Sequence, residues 1–494
     1  MINFLDICKN YIDGKFVNSE SGKTFASINP SNGKILGYFQ ESNKKDLDYA
    51  IKSAWKGFKI WSNLPAPKRG EILFQVSRLL KENKERLSKL VTTEMGKVIS
   101  EARGDVQEAI DIFEYMGGEG RRLFGATTPS ELRDKFCMTI RRPVGVTALI
   151  TPWNFPIAIP AWKISASLIC GNSIVFKPSS ETPLCAFELV KILDEAGIPE
   201  GVINFLTGKG EEIGNELIKN QNISSISFTG SREVGDFILK NSATNKVGLE
   251  LGGKNPIIVM DDANLDLAID GVVWGAFGTT GQRCTAASRI IVHKDIKKEF
   301  EDRLLKKTKK LKLGDGLKED SDVGPLVSER AIQKIDFYVN SGKKEGAQLL
   351  CGGKRVNGVG FFYEPTIFTN VKKEMRIARE EIFGPVVSLI TIKDINEAVE
   401  ICNSVDFGLS SSIYTENIKN AFLAIEKIDA GLTYVNSSTI GSEVHLPFGG
   451  VKKTGNGVRE GGLHGIDEFS EIKTVYIDYS NKLQKAQIDN VRVR

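Results

Sequence analysis

From Val144 to Leu251 the chain repeats one rhythm: a short β-branched run, a helical pattern, then another such run. Val144–Ile150, Ser173–Lys177, Val202–Leu206, Ser224–Phe228 and Val247–Leu251 read as strands. Between them, Pro160–Ile169, a segment opened by Thr182 as cap with Pro183 at its first position and running to Gly197, Glu211–Asn220 and Arg232–Ala243 read as helices. Strands joined by helical crossovers lie parallel, and a parallel sheet buries both faces under helices. The chain is therefore constrained to a doubly wound α/β architecture, which binds nucleotides at the carboxyl ends of its strands.

A second set of α/β alternations begins at Pro256 and runs to about Val435, so 494 residues are read as more than one domain. Before the first set, residues 11–40 alternate short β-rich runs with turns. Residues 44–117 read as helices: Asp46–Trp61, then Arg69–Leu90 and Val91–Tyr115. Arg121–Val146 carries two β-rich runs around Pro129, and the strand starting at Lys473 is expected to pair with it as an arm outside the main sheets. The expected division is 1–120 with 143–253 as the nucleotide domain and 254–440 as the catalytic domain. Residues 121–142 with 473–494 form the arm, and 441–472 a return segment.

Charge and cysteine usage narrow the function. Basic and acidic residues nearly balance, 66 against 62, and the lysine-rich Lys306–Lys312 is the solvated face of a helix, so no nucleic-acid partner is expected. No stretch reaches membrane-spanning length and no signal segment opens the chain, which points to the cytoplasm. The seven cysteines are scattered without Cys-x-x-Cys, which argues against a disulfide framework or a structural metal site.

One cysteine stands apart. Gly275-Ala-Phe-Gly-Thr-Thr-Gly-Gln-Arg-Cys284 ends a helical run from Leu265 to Phe277 with Gly278 and Gly281, and a strand opens at Arg289. A thiol on a glycine-rich turn admits close approach of a ligand. Thr151-Pro-Trp-Asn-Phe-Pro156 follows the first strand, and its prolines hold Asn154 rigidly where an amide N–H would meet an oxyanion. Alone, the motif equally fits a turn asparagine capping backbone groups. Lys177, in Val175-Phe-Lys-Pro-Ser-Ser180, ends the next strand as a donor for ribose or phosphate, or as an ordinary surface lysine. Ser227-Phe-Thr-Gly230-Ser-Arg places a helix N-terminus where a pyrophosphate would bind, though the Gly-x-Gly-x-x-Gly register is absent. Glu250 lies between leucines at a strand end, where desolvation raises a carboxylate toward a useful base. Arg379-Glu-Glu381-Ile-Phe-Gly-Pro385 offers carboxylates to ribose hydroxyls, and Leu446-Pro-Phe-Gly-Gly450 is a glycine-rich pocket wall.

Taken in order, these seven motifs resemble those of the aldehyde dehydrogenase superfamily from about Tyr11 to Tyr479. The resemblance implies Cys284 as nucleophile, Glu250 as general base and Asn154 as oxyanion donor. It implies cofactor contacts at Ile150, Trp153, Lys177, Ser180, Gly230, Ser231, Val234, Glu381 and Phe383. Phe155, Trp162, Arg283 and Phe448 would then line the substrate site, with no metal. It also implies NAD or NADP as cofactor and a homo-oligomer, dimer or tetramer. Family members that prefer NAD usually carry a glutamate three residues after the lysine; here that place is Ser180, so NADP is expected to be accepted.

The segment Asn154–Lys163, the stretch around His445 and the tail from Tyr476 are similar to the branch containing 2-oxoglutarate-semialdehyde dehydrogenases. A small carboxylated semialdehyde is accordingly the expected substrate, with Arg283 as a holder of the anionic tail or as a structural arginine. A broad-specificity aliphatic aldehyde dehydrogenase is the alternative, and a non-catalytic structural relative is disfavoured by the intact Cys284, Glu250 and Asn154.

Overall fold

The computed structural model describes residues 7–488; the first six residues of the expected nucleotide domain and 489–494 of the arm lie outside them. The first rhythm forms a seven-stranded sheet in the order Val247–Glu250, Ser225–Thr229, Val146–Ile150, Ser173–Lys177, Ile203–Phe205, Asn10–Ile12, Lys15–Val17. Its first five strands run parallel, and the two N-terminal strands extend it antiparallel. Neighbours Val146–Ile150 and Ser225–Thr229 are not consecutive among the parallel strands, so the winding direction reverses between them. This switch point opens a crevice at the strands' carboxyl ends, where Thr151–Asn154 and Gly230–Ser231 emerge.

The second set forms another seven-stranded sheet, ordered Gln348–Cys351, Thr366–Thr369, Val386–Ile392, Ala287–His293, Asn255–Val259, Ser410–Tyr414, Leu432–Val435. All its pairs are parallel except the first. Both sheets bury their strands on two faces between apolar clusters. Ser470–Asp478 pairs antiparallel with Lys135–Pro143, which also takes Thr127–Pro129, so the expected arm is a separate three-stranded sheet. The return segment crosses back to the first sheet, where Leu251 donates its N–H to the Thr454 carbonyl at 2.6 Å and Glu250 bridges Gly455.

Several local expectations are corrected. The two helices expected across Arg69–Tyr115 are three, Ala66–Glu82, Lys84–Met95 and Ile99–Glu119. The amphipathic period continues across both junctions and so hides them. Asn83 turns the chain at the first, donating its side-chain amide to the Leu79 carbonyl at 2.9 Å, and Gly96 at φ +101° ends the second helix. Glu211–Asn220 is a π-turn, Gly210–Gly214, followed by the short helix Asn215–Ile218. Thr182 does not cap the helix Pro183–Glu195 through its side chain. The buried Glu94 instead accepts from the Leu184 and Cys185 amides, each at 2.7 Å. A carboxylate binds two orphan N–H groups at once, which one hydroxyl cannot.

Candidate active site

The cysteine turn is held in a conformation its residues would not choose. The helix Leu265–Phe277 matches its expected span, and Thr279 and Thr280 then take left-handed φ values of 50° and 57°. Two β-branched residues in this region are costly, of order 1–3 kcal/mol each, and persist only where the surroundings fix them. Glu101 accepts the Thr279 N–H at 2.9 and 2.8 Å through its two oxygens, and Thr280 Oγ1 donates to the Gly324 carbonyl at 3.0 Å. Beyond the turn, Asn255 donates to the Cys284 carbonyl at 2.7 Å and to the Ala286 carbonyl at 2.9 Å. The backbone passes close here: a Cβ at Gly253 would lie 2.7 Å from the Cys284 carbonyl oxygen, which explains the glycine.

Cys284, half-buried, lines a cavity of about 120 Å³ with Glu250, Arg283, Phe155, Trp162 and Phe448. All four expected substrate residues thus meet the expected nucleophile and base. Trp162 and Phe448 pack edge to face at 5.9 Å, and the Arg283 guanidinium lies 5.4 Å from the Phe155 ring centre. Arg283 is also anchored: Nη2 pairs with Glu101 at 3.1 Å and Nε donates to Thr279 Oγ1 at 2.8 Å, leaving Nη1 without a hydrogen bond among the described residues.

The acid–base set is strongly perturbed. Burial pushes the Cys284 thiol up to about 12, helped by the negative charges of Glu250 and Glu381. Glu250 is 4% exposed, and neither carboxylate oxygen has a hydrogen-bond partner among the described residues. Burial raises it well above the usual carboxylate range, Glu460 adds to the rise, and Lys163 opposes it. Lys163 is itself buried, donates to Ser227 Oγ at 2.7 Å and pairs with Glu460. Asn154 is buried beside the first strand, its Oδ1 without a hydrogen-bond partner among the described residues.

The expected cofactor residues flank the switch point. Lys177 is buried; among the described residues its ammonium donates only to the Pro178 carbonyl at 3.2 Å, and burial lowers it to about 8. Ser231 caps the helix Arg232–Asn241 by accepting the Val234 N–H at 3.4 Å, with Gly230 just before it. Ser180 Oγ donates to the Gly208 carbonyl at 3.0 Å. From the second sheet, Phe383, at φ +62°, packs edge to face on Trp153 at 5.4 Å, and Glu381 accepts the Gly253 N–H at 3.0 Å. Ile150 is the half-buried end of the first strand. A buried ammonium without a carboxylate partner and a helix N-terminus beside it suit a ligand rich in hydroxyls and phosphates.

Sequence reasoning missed Glu101, Glu108, Asn255 and Glu460. Lys163 carried a signal, since a lysine in an otherwise apolar helix must find a buried partner. Glu460, 297 residues away, carried none.

A doubly wound nucleotide sheet, a second α/β sheet carrying a cysteine on a strained turn, and a buried carboxylate on the shared cavity define a two-sheet enzyme of the nucleotide-dependent class. The model of the aldehyde dehydrogenase family matches residues 16–475, and the chain belongs to that family. It is 42% identical to the alpha-ketoglutaric semialdehyde dehydrogenase of Bacillus subtilis, over 95% of this chain and 97% of that protein. It is 40% identical to the 2,5-dioxopentanoate dehydrogenase of Saccharolobus solfataricus, over 92% and 96%. Among solved structures, betaine aldehyde dehydrogenase from Staphylococcus aureus in complex with NAD+ superposes with a TM-score of 0.94 at 36% identity, covering 96% of this chain and 95% of that one. The NAD-dependent aldehyde dehydrogenase of Sinorhizobium meliloti does so at 0.94 and 38%, covering 97% and 96%.

Proposed function

We propose that the protein oxidises a small carboxylated semialdehyde to the acid, with Cys284 as nucleophile, Glu250 as base and NAD or NADP as hydride acceptor. The observation that carries the reading is the shared cavity of Cys284 and Glu250, closed by Phe155, Trp162 and Phe448. Lys177, Ser231, Glu381 and the Trp153–Phe383 pair would hold the cofactor, which supplies a site for hydride from the aldehyde carbon. A thiol this strongly raised needs its proton removed, and Glu250, which shares the cavity with it, takes that proton in this reading. The Cys284 sulfur then bonds to the carbonyl carbon while Asn154 and the Cys284 N–H meet the oxygen. After hydride leaves, the acyl group rests on Cys284 as a thioester. Glu250 passes the thiol's proton on to solvent before this step; it then takes a proton from water, the hydroxide adds to the thioester carbon, and the C–S bond breaks to release the acid and the Cys284 thiolate.

The Bacillus and Saccharolobus relatives, together with the spare Nη1 of Arg283, support a carboxylated tail. Ser180 supports acceptance of NADP. The arm's exposed Ile472 and Tyr476 support assembly of like chains through that sheet, and the domain division is proposed to follow the two large sheets and the arm. Among the described residues no helix is long and apolar enough to cross a membrane and no disulfide forms; a cytoplasmic setting is part of the proposal. Reduction of NAD and NADP by the purified protein over aldehydes with and without a terminal carboxylate tests it, with Cys284→Ala as control. No turnover of any aldehyde would overturn it.

A further inference from the structure

Glu101, Asp105 and Glu108 recur at i, i+4 and i+7 on the helix Ile99–Glu119, so they share one face. Two of the three are compensated. Glu101 holds Arg283 and the Thr279 amide, whereas Asp105 pairs with Lys97 at 2.9 Å and accepts the Ala158 N–H at 2.7 Å. Lys97 and Arg283 both lie over the Phe155 ring, so two cations and two anions close this wall. Glu108 is the third acid and forms no ion pair among the described residues, feeling Lys97 and Arg283 only at longer range. It lines the Cys284 cavity beside Trp162, whose buried indole N–H faces the Glu108 carboxyl and makes no other hydrogen bond among the described residues.

The cavity also carries Glu250 and Glu460, so it is already acid-rich without a substrate. A tail carboxylate offers only acceptors, and an ionised Glu108 does the same. The two bind side by side only if a proton is shared between them.

We infer that Glu108 is the specificity residue of the aldehyde pocket: it binds the substrate's terminal carboxylate as a neutral carboxyl, donating its O–H to the tail beside the Trp162 N–H and the Arg283 Nη1. Above the value at which Glu108 ionises in the free enzyme, binding of such a substrate takes up one proton from solvent. Burial and the neighbouring Asp105 raise Glu108 to about 7, against the opposing pull of Lys97, Arg283 and the Trp162 N–H, so the uptake falls in the neutral range. Glu101 and Asp105 from its own helix, Lys97 before it, Arg283 and Cys284 from the nucleophile turn, Glu250 from its strand and Glu460 from the return segment are the other charged or titratable groups around it.

The assignment rests on the carboxylated-substrate reading, and one experiment separates the two. KM is measured for succinic semialdehyde and for propanal from pH 6 to 9, and their ratio removes titrations common to both. For the wild type the ratio is expected to be level below pH 7 and to climb roughly tenfold per pH unit above it. In Glu108→Gln, which keeps an N–H donor at every pH, the ratio stays level. Independently of any variant, calorimetry of butanoate binding to the wild type at pH 8 in buffers of different ionisation enthalpy should show uptake of close to one proton. Turnover of propanal but not of succinic semialdehyde would overturn the substrate reading and this inference with it. Turnover of both with a level wild-type ratio, an unchanged slope in Glu108→Gln, or no proton uptake would overturn the Glu108 assignment alone.

Discussion

The Asn255 side chain donates to the Cys284 carbonyl at 2.7 Å, and its Oδ1 accepts the Ser410 N–H at 3.0 Å. One amide, 2% exposed, thereby ties the nucleophile turn to two strands of the second sheet. Asn255→Ala leaves the Cys284 and Ala286 carbonyls and the Ser410 N–H without that partner, at about 1–3 kcal/mol for each group that stays buried and unpaired. The turn then shifts rather than the cofactor crevice. Steady-state kinetics should show kcat/KM for aldehyde down by at least roughly tenfold with cofactor KM little changed. A variant with wild-type kcat/KM would show that the clamp does not position the thiol.

Lys163 and Glu460 act on Glu250 with opposite sign. Lys163 lowers the Glu250 carboxyl and Glu460 raises it. A base works only when deprotonated, so activity is lost as pH falls through its value. Lys163→Met removes the lowering influence, and the acid limb of the kcat profile should move to higher pH. Glu460→Gln removes the raising influence and should move that limb to lower pH. Movement of both limbs in one direction would refute the electrostatic coupling.

The thiol and the base can be separated chemically. Above the pH at which Glu250 ionises, its charge holds the Cys284 thiol up. Glu250→Gln removes that charge, so iodoacetamide should alkylate Cys284 faster at pH 9 than in the wild type. Acid formation should fall by roughly a hundredfold or more, because the thioester lacks its base. Slower alkylation in the variant would contradict the sign of this coupling.

Sequence made the parallel sheets legible because β-branched runs and helical periods are local signals. The helix Leu265–Phe277 and the existence of the tail strand were legible for the same reason, whereas the antiparallel direction of its pairing with Lys135–Pro143 was not. Charges that meet only in three dimensions were not. Nothing near Thr182 indicated that Glu94, some 90 residues earlier, would take the amides at that helix start. Glu101 and Glu108 lie in a stretch whose period signals only a helix, and the fold alone turns their face toward Cys284. Glycines in the cysteine turn suggested positive φ, yet Thr279 and Thr280 adopt it as well, held by Glu101 and the Gly324 carbonyl.

In the proposed reading, cofactor choice turns on Ser180. Ser180 is neutral, and its hydroxyl donates to the Gly208 carbonyl. A 2′-phosphate beside it therefore meets no negative charge at that position. Ser180→Glu places a carboxylate there, where it would accept a hydrogen bond from a 2′-hydroxyl and repel a phosphate. Like charges brought together in a binding site cost several kcal/mol. The kcat/KM ratio of NADP to NAD should fall by about tenfold or more, with kcat for NAD largely kept. A wild type that reduces NAD but not NADP would place the discrimination elsewhere, with the exposed Glu181 next to be substituted.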